Sequence, residues 1–225
     1  NETLCNALDL AAQNNKAVHI LGLLSDGGVH SHQNHIFAAL ELAKQKKCDK
    51  VFLHVFTDGR DTPPNSASKY IEQLESKISE MSVGRIASVV GRFYAMDRDN
   101  RWERVSKAYE LITEGKADRF SKSAREAVQE AYNLGENDEF IAPTSIGESV
   151  KISPDDLIIF MNYRADRARE IMLALSSTAF SEFNRNHFVP CNFICLTEYK
   201  KALNLDCAYP PISVKNPLVT ASQIM

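Results

Sequence analysis

Ala17-Val18-His19-Ile20-Leu21-Gly22-Leu23-Leu24 is a nearly unbroken apolar run, closed by the polar turn Ser25-Asp26-Gly27-Gly28. A strand with one wet face would alternate apolar and polar residues; this run does not, so it reads as a strand buried on both faces. The residues around it follow suit. Residues 2–14 carry Leu4, Leu8 and Ala11 at helical spacing, and Ser31 can cap a helix reaching about Lys47 with Ile36, Ala39, Leu40 and Ala43 on one face. Val51 to Phe56 is a second buried strand, and the rigid polar loop Asp58-Gly59-Arg60-Asp61-Thr62-Pro63-Pro64 leads into a helix from Ser66 with Tyr70, Ile71, Leu74 and Ile78 in phase. Ile86–Val90, Leu157–Met161 and Phe193–Leu196 supply three further strands. Helices are expected around Trp102–Ile112, over 121–134 and from about Asp166 to Leu175. Strand and helix in alternation predict an α/β fold, a mostly parallel sheet with helices on both faces. Gly115 to Ser153 is rich in charge and poor in strand pattern, which reads as a helical insertion with irregular loops inside one domain spanning 1–225.

The bulk composition narrows the function classes. Hydrophobic residues at 44% and charged residues at 24% fit an ordinary globular domain. A net charge of -3 gives no bulk attraction to nucleic acid, so any anion site must be a local basic cluster. The five cysteines (Cys5, Cys48, Cys191, Cys195 and Cys207) are odd in number and contain no C-x-x-C, which favours neither a disulfide framework nor a cysteine zinc site, and fits a reducing cytoplasm. No apolar run is long enough to span a membrane and no signal-peptide pattern opens the chain. Asn1 already lies in a helical pattern and the last residues stop without a clear final element, so both ends read as cuts in a longer chain.

In an open α/β sheet, ligands bind beyond the carboxyl ends of the strands. The residues that follow the first strand are Asp26, Gly27, Gly28, His30, Ser31 and His32; the second, Asp58, Arg60 and Asp61; the third, Arg92, Asp97 and Arg98; the fourth, Asn162, Arg164, Asp166 and Arg167. Four strand ends thus bring five arginines, several carboxylates and a histidine to one rim. The guanidinium fork holds carboxylate or phosphate oxygens by paired hydrogen bonds. Five forks in one place repel one another unless an anion sits between them, so a small ligand with two anionic groups is the natural guest. The plainer alternative is that each arginine pairs with a local aspartate as an ordinary surface ion pair. Asp61, beside Arg60, is a candidate proton-transfer carboxylate, or else a turn or capping residue before Thr62-Pro63-Pro64.

Other features have simpler readings. Gly27-Gly28 lacks the surroundings of a nucleotide-binding fingerprint and reads as a tight turn. His30-Ser31-His32-Gln33-Asn34-His35 resembles a zinc-hydrolase H-x-H-x-D-H motif, but Asn34 stands where the aspartate belongs. A zinc hydrolase built on His30, His32 and His35 is therefore the alternative function, with His32 and His35 otherwise polar residues in the first turns of a helix. Tyr70, Trp102 and Tyr109 are expected in the core, and the cysteines are expected to be buried and inert.

Taken together, Gly27-Gly28-Val29-His30-Ser31-His32, Thr57-Asp58-Gly59-Arg60-Asp61-Thr62-Pro63-Pro64, Gly91-Arg92-Phe93-Tyr94-Ala95-Met96-Asp97-Arg98-Asp99-Asn100-Arg101-Trp102 and Phe160-Met161-Asn162-Tyr163-Arg164-Ala165-Asp166-Arg167 closely resemble segments of the cofactor-independent phosphoglycerate mutases, in order and spacing. The resemblance implies two α/β domains: a phosphatase-like one with a nucleophilic serine and two manganese ions, and an inserted one that binds the glycerate part of the substrate. This chain resembles the inserted domain alone. The resemblance further implies that His30, Arg60, Asp61, Arg92, Arg98, Arg164 and Arg167 bind 3-phosphoglycerate or 2-phosphoglycerate, with Asp61 moving protons and His30 nearby. Arg60, Arg92 and Arg98 would hold glycerate while Arg164 and Arg167 face the phosphate. It implies a monomer that needs its phosphatase-like domain, no metal in this chain, and a site lysine just beyond Met225.

Overall fold

The computed structural model describes residues 1–211 of the 225. Strand and helix alternate as α1 (Glu2–Gln13), β1 (Val18–Leu23), α2 (Gln33–Gln45), β2 (Val51–Thr57), α3 (Ala67–Met81), β3 (Arg85–Gly91), α4 (Arg92–Ala95), α5 (Trp102–Glu114), β4 (Arg119–Ser121), α6 (Ala124–Asn133), β5 (Thr144–Ile146), β6 (Leu157–Phe160), α7 (Arg169–Ser176), β7 (Asn192–Thr197) and β8 (Asp206–Tyr209). They form one eight-stranded sheet in the order β4-β5-β3-β2-β1-β6-β7-β8. Every neighbouring pair runs parallel except β3 and β5.

The two-sided burial of the strands follows from their residues. Val18 and Ile20 of β1, with Leu53 and Val55 of β2, pack under α1, α2, α3 and α6 against Leu8, Leu40, Ile71 and Val128. The alternate residues Leu21, Leu23 and Phe56, with Phe160 of β6, pack on the other face against Tyr109, Ile112, Ile171 and Met172 of α5 and α7. Tyr70 and Tyr109 are core residues; Trp102 is only partly buried at the edge of the second cluster.

Several expectations need correction. The 115–153 stretch contributes two short strands, β4 and β5, that extend the sheet; β5 enters antiparallel beside β3. His32 caps α2 in place of Ser31, its Nδ1 accepting from Asn34 N at 3.2 Å. The last helix begins at Arg169, which leaves Asp166 and Arg167 in the loop before it. Ser66 precedes α3, but its side chain makes no cap bond; Asp138 caps the helix from across the chain, accepting from Ser66 N at 2.8 Å and Ala67 N at 2.9 Å. All five cysteines are free thiols; Cys48 and Cys195 are buried and the other three half-buried. No helix among the described residues is long and apolar enough to cross a membrane.

Candidate active site at the carboxyl edge of the sheet

β1 and β2 start level, Val18 opposite Val51, and β1 and β6 start level, Val18 opposite Leu157. Their carboxyl ends therefore release their loops along one edge. After β1 the chain moves outward to β2 on one side and later returns to β6 on the other, so the β1–β6 boundary is where the strand order reverses. That is where an open α/β sheet forms its ligand crevice. Asn162, just past β6, closes the floor by accepting from Leu23 N at 3.0 Å, and Tyr163 N donates to the His30 carbonyl at 2.8 Å.

The loops of β1, β2 and β3 are tied by one buried carboxylate. Asp58 Oδ1 accepts from Arg60 N at 3.2 Å, Asp61 N at 3.0 Å and Arg92 Nη1 at 2.6 Å, while Oδ2 accepts from Ser25 Oγ at 2.7 Å. Burial alone would raise the Asp58 carboxyl; the Asp61 amide, Ser25 and Arg92 outweigh it and hold it below its ordinary value. Arg92 Nη1 also reaches Asp61 Oδ2 at 2.6 Å, so this buried guanidinium bridges the two carboxylates. Two glycines make the crossing possible. A Cβ at Gly27 would lie 3.0 Å from the Asp61 Cβ, and one at Gly91 only 2.3 Å from the Glu139 carbonyl oxygen. Gly28 has φ +69, a left-handed turn, as read from the sequence.

The structure brings all seven sequence-named site residues to this edge. His30, 3% exposed, faces Asp61 Oδ2 from Nε2 at 4.0 Å and Asp166 Oδ1 from Nδ1 at 3.6 Å. Burial, and then the Arg92 charge, lower the His30 imidazole below its ordinary value against the opposing pull of the two carboxylates, so the ring is neutral near pH 7. Asp166 accepts from Arg98 Nη1 at 2.9 Å and Arg164 Nη2 at 3.1 Å. Arg167 Nη1 donates to the Met96 carbonyl at 3.0 Å, and Arg60 reaches Glu139 Oε1 at 3.4 Å. Arg167 is pushed below its usual value by burial and then by the positive charges of Arg98, Arg60 and Arg92. Arg60, Arg98 and Arg164 are about half exposed at this rim.

The plain ion-pair reading is thus part of the picture, since Arg92, Arg98 and Arg164 each have an aspartate. Yet two of them share Asp166, and the cluster still holds five arginines. Position after a strand puts Asp58 and Asp166 on the rim but names no partner for either; Asp58 anchors Arg92, and Asp166 is the shared partner of Arg98, Arg164 and His30. The zinc arrangement does not form. His32 turns back to cap α2, His35 packs edge-on against Tyr163, and His30 points into the rim between Asp61 and Asp166. Among the described residues no group of three or more His, Cys, Asp or Glu side chains converges as a metal site.

A family model described as "BPG-independent PGAM N-terminus" matches residues 1–201. The chain belongs to this family. It is 54% identical over 218 residues to the 2,3-bisphosphoglycerate-independent phosphoglycerate mutase of Vesicomyosocius okutanii, a match that covers 97% of the chain and 43% of that protein. It is 49% identical over 218 residues to the enzyme of the same name from Pseudomonas fluorescens, with the same coverage. Among solved structures, Leishmania mexicana phosphoglycerate mutase, crystallised at low cobalt concentration, superposes with a TM-score of 0.85 at 27% identity, over 93% of this chain and 40% of that one. The chain therefore spans less than half the length of the curated relatives it matches. The zinc-hydrolase alternative finds no support in any of these likenesses.

Proposed function

We propose that this chain is the substrate-holding domain of a 2,3-bisphosphoglycerate-independent phosphoglycerate mutase, which interconverts 3-phosphoglycerate and 2-phosphoglycerate in glycolysis and gluconeogenesis. The observation that carries the reading is one chain of contacts at the β1–β6 crevice: Arg92 to Asp61, Asp61 to His30, His30 to Asp166 and Asp166 to Arg98 and Arg164, with Arg60 and Arg167 on the same loops. Such a cluster suits a ligand with a carboxylate at one end and a phosphate at the other. Arg92, already fixed by Asp58, orients Asp61 beside the glycerate hydroxyls, where its carboxylate takes up or returns a proton. Arg60, Arg92 and Arg98 hold the glycerate part. Arg164 and Arg167, on the loop after β6, meet the phosphate.

Phosphate transfer through a phosphoserine belongs, in this reading, to a phosphatase-like domain outside this chain. The two manganese ions of that chemistry would be held there. A cytoplasmic enzyme accords with the free cysteines. The test is calorimetric titration of the chain with 3-phosphoglycerate in chelator, beside Arg98→Ala and Arg164→Ala. Saturable, metal-independent binding that weakens in both variants is expected. Tight zinc uptake with no phosphoglycerate binding would overturn the reading.

A further inference from the structure

Two buried polar atoms in the site face one another without a hydrogen bond: His30 Nδ1 and Asp166 Oδ1, 3.6 Å apart. Oδ1 also lies 2.9 Å from Arg164 Nε, outside hydrogen-bond geometry, while Oδ2 takes the bonds from Arg98 and Arg164. Buried polar atoms are rarely left alone, and a movement of a few tenths of an ångström would join this pair. The neutral ring has one N–H to place. If it sat on Nε2, the bare Nδ1 would face an aspartate that Arg98 and Arg164 keep ionised, two electron-rich atoms in contact. Burial would raise the Asp166 carboxyl, but those arginines outweigh it and hold it below its ordinary value.

We propose that Asp166 is a positioning residue that fixes His30 as the Nδ1–H tautomer and leaves Nε2 bare as a hydrogen-bond acceptor for a ligand hydroxyl. A side chain's free nitrogen is set by the bond its other nitrogen makes. Nε2 then stands 4.0 Å from Asp61 Oδ2, and the two form a pair of acceptors for a ligand with oxygens on adjacent carbons. Asp166 thereby serves two sides of the site at once. It orients the imidazole, and it holds Arg98 and Arg164 at the rim until an anion takes its place between them. The tautomer follows from the side chains alone; only the identity of the hydroxyl rests on the phosphoglycerate reading.

The test is a long-range proton–nitrogen NMR correlation of the imidazoles in the 15N-labelled chain at neutral pH, with His30 assigned by its loss in His30→Gln. A pyrrole-like Nδ1 and a pyridine-like Nε2 are expected in the wild type. Asp166→Ala should shift the pattern toward Nε2–H, and Asp166→Asn, whose amide oxygen can still accept, should restore it. Unchanged His19 and His54 signals report an intact fold in each variant, and Asp166→Ser replaces Asp166→Ala if that variant disturbs them. A wild-type ring protonated on Nε2, or a pattern indifferent to Asp166→Ala, overturns the proposal. Phosphoglycerate titration of the same samples is read separately, so a failed tautomer and a failed substrate assignment are told apart.

Discussion

Arg92→Met removes a buried charge that two carboxylates share. Methionine keeps much of the arginine stem's packing but removes the guanidinium that both Asp58 Oδ1 and Asp61 Oδ2 approach to 2.6 Å. Removing one partner of a buried ion pair costs about 3–5 kcal/mol, because the remaining charge stays buried. Asp58 keeps its bonds from Ser25 and the Arg60 and Asp61 amides, and Asp61 is partly open to solvent at 19%, so the lower end, about 3 kcal/mol, is expected. For a chain of this size that lowers Tm by roughly 6–12 °C. The cost also depends on pH in a stated direction. Asp58 is depressed in the folded protein, so its contribution is present above the unfolded carboxylate value of about 3.9 and is lost as pH falls through the lower folded value. In Arg92→Met the folded Asp58 rises, protonates earlier, and relieves the uncompensated charge. Urea unfolding of both proteins from neutral pH down through the carboxylate range should therefore show a gap that narrows with acid. A gap below about 1 kcal/mol at neutral pH, the size of an exposed pair, or one that does not narrow, would refute the reasoning.

Three other outcomes are expected. Asp138→Ala leaves Ser66 N, Ala67 N and the Tyr132 hydroxyl without their acceptor, and should cost about 2–4 kcal/mol in denaturant unfolding, the sum of a helix cap and a charge-assisted bond. Gly91→Ala puts a Cβ 2.3 Å from the Glu139 carbonyl oxygen and 2.7 Å from Ile141 N; it should cost about 1–3 kcal/mol and weaken 3-phosphoglycerate binding measured by calorimetry, since Arg92 is the next residue. His54 lies in a buried chain, its Nε2 3.1 Å from His19 Nδ1 and its Nδ1 2.8 Å from Ser88 Oγ, and burial then the His19 and Arg85 charges hold it well below its ordinary value. Its contribution is complete above the unfolded value near 6.5 and falls with acid below it, by up to about 1.4 kcal/mol per pH unit; His54→Gln should flatten that slope in unfolding measured between neutral and mildly acidic pH.

The central sheet was legible because its strands are long and apolar on both faces. Ala17–Leu24, Val51–Phe56, Ile86–Val90, Leu157–Met161 and Phe193–Leu196 correspond to β1, β2, β3, β6 and β7. The short strands toward the two ends of the sheet were not legible. Arg119-Phe120-Ser121 and Thr144-Ser145-Ile146 are three residues each, too short for a period, and gain their strand character only by pairing with one another and with β3. β8, Asp206–Tyr209, has the same difficulty. The single turn Arg92–Ala95 is likewise below the length at which helical spacing can register.

The rim was legible for a different reason: residues that follow parallel strands must share an edge, so position after a strand locates a side chain without any knowledge of its partners. What that argument cannot supply is the partnership itself. That Asp58 would take Arg92 across 34 positions, or that Asp166 would face His30 across 136, depends on loop paths that no local pattern encodes. The same holds for His19 and His54. Each sits alone in an apolar run, and only the register that pairs β1 with β2 shows them to be one buried network ending on Asp156.

The most direct test of the central claim is to follow the arginine side-chain Nε and His30 ring resonances of the labelled chain as 3-phosphoglycerate is added in chelator. The account predicts saturable shifts in Arg60, Arg92, Arg98, Arg164, Arg167 and His30 together. Shifts confined instead to Arg85, in the basic pocket with Lys16, Lys50 and Lys151 at the opposite edge of the sheet, would contradict it.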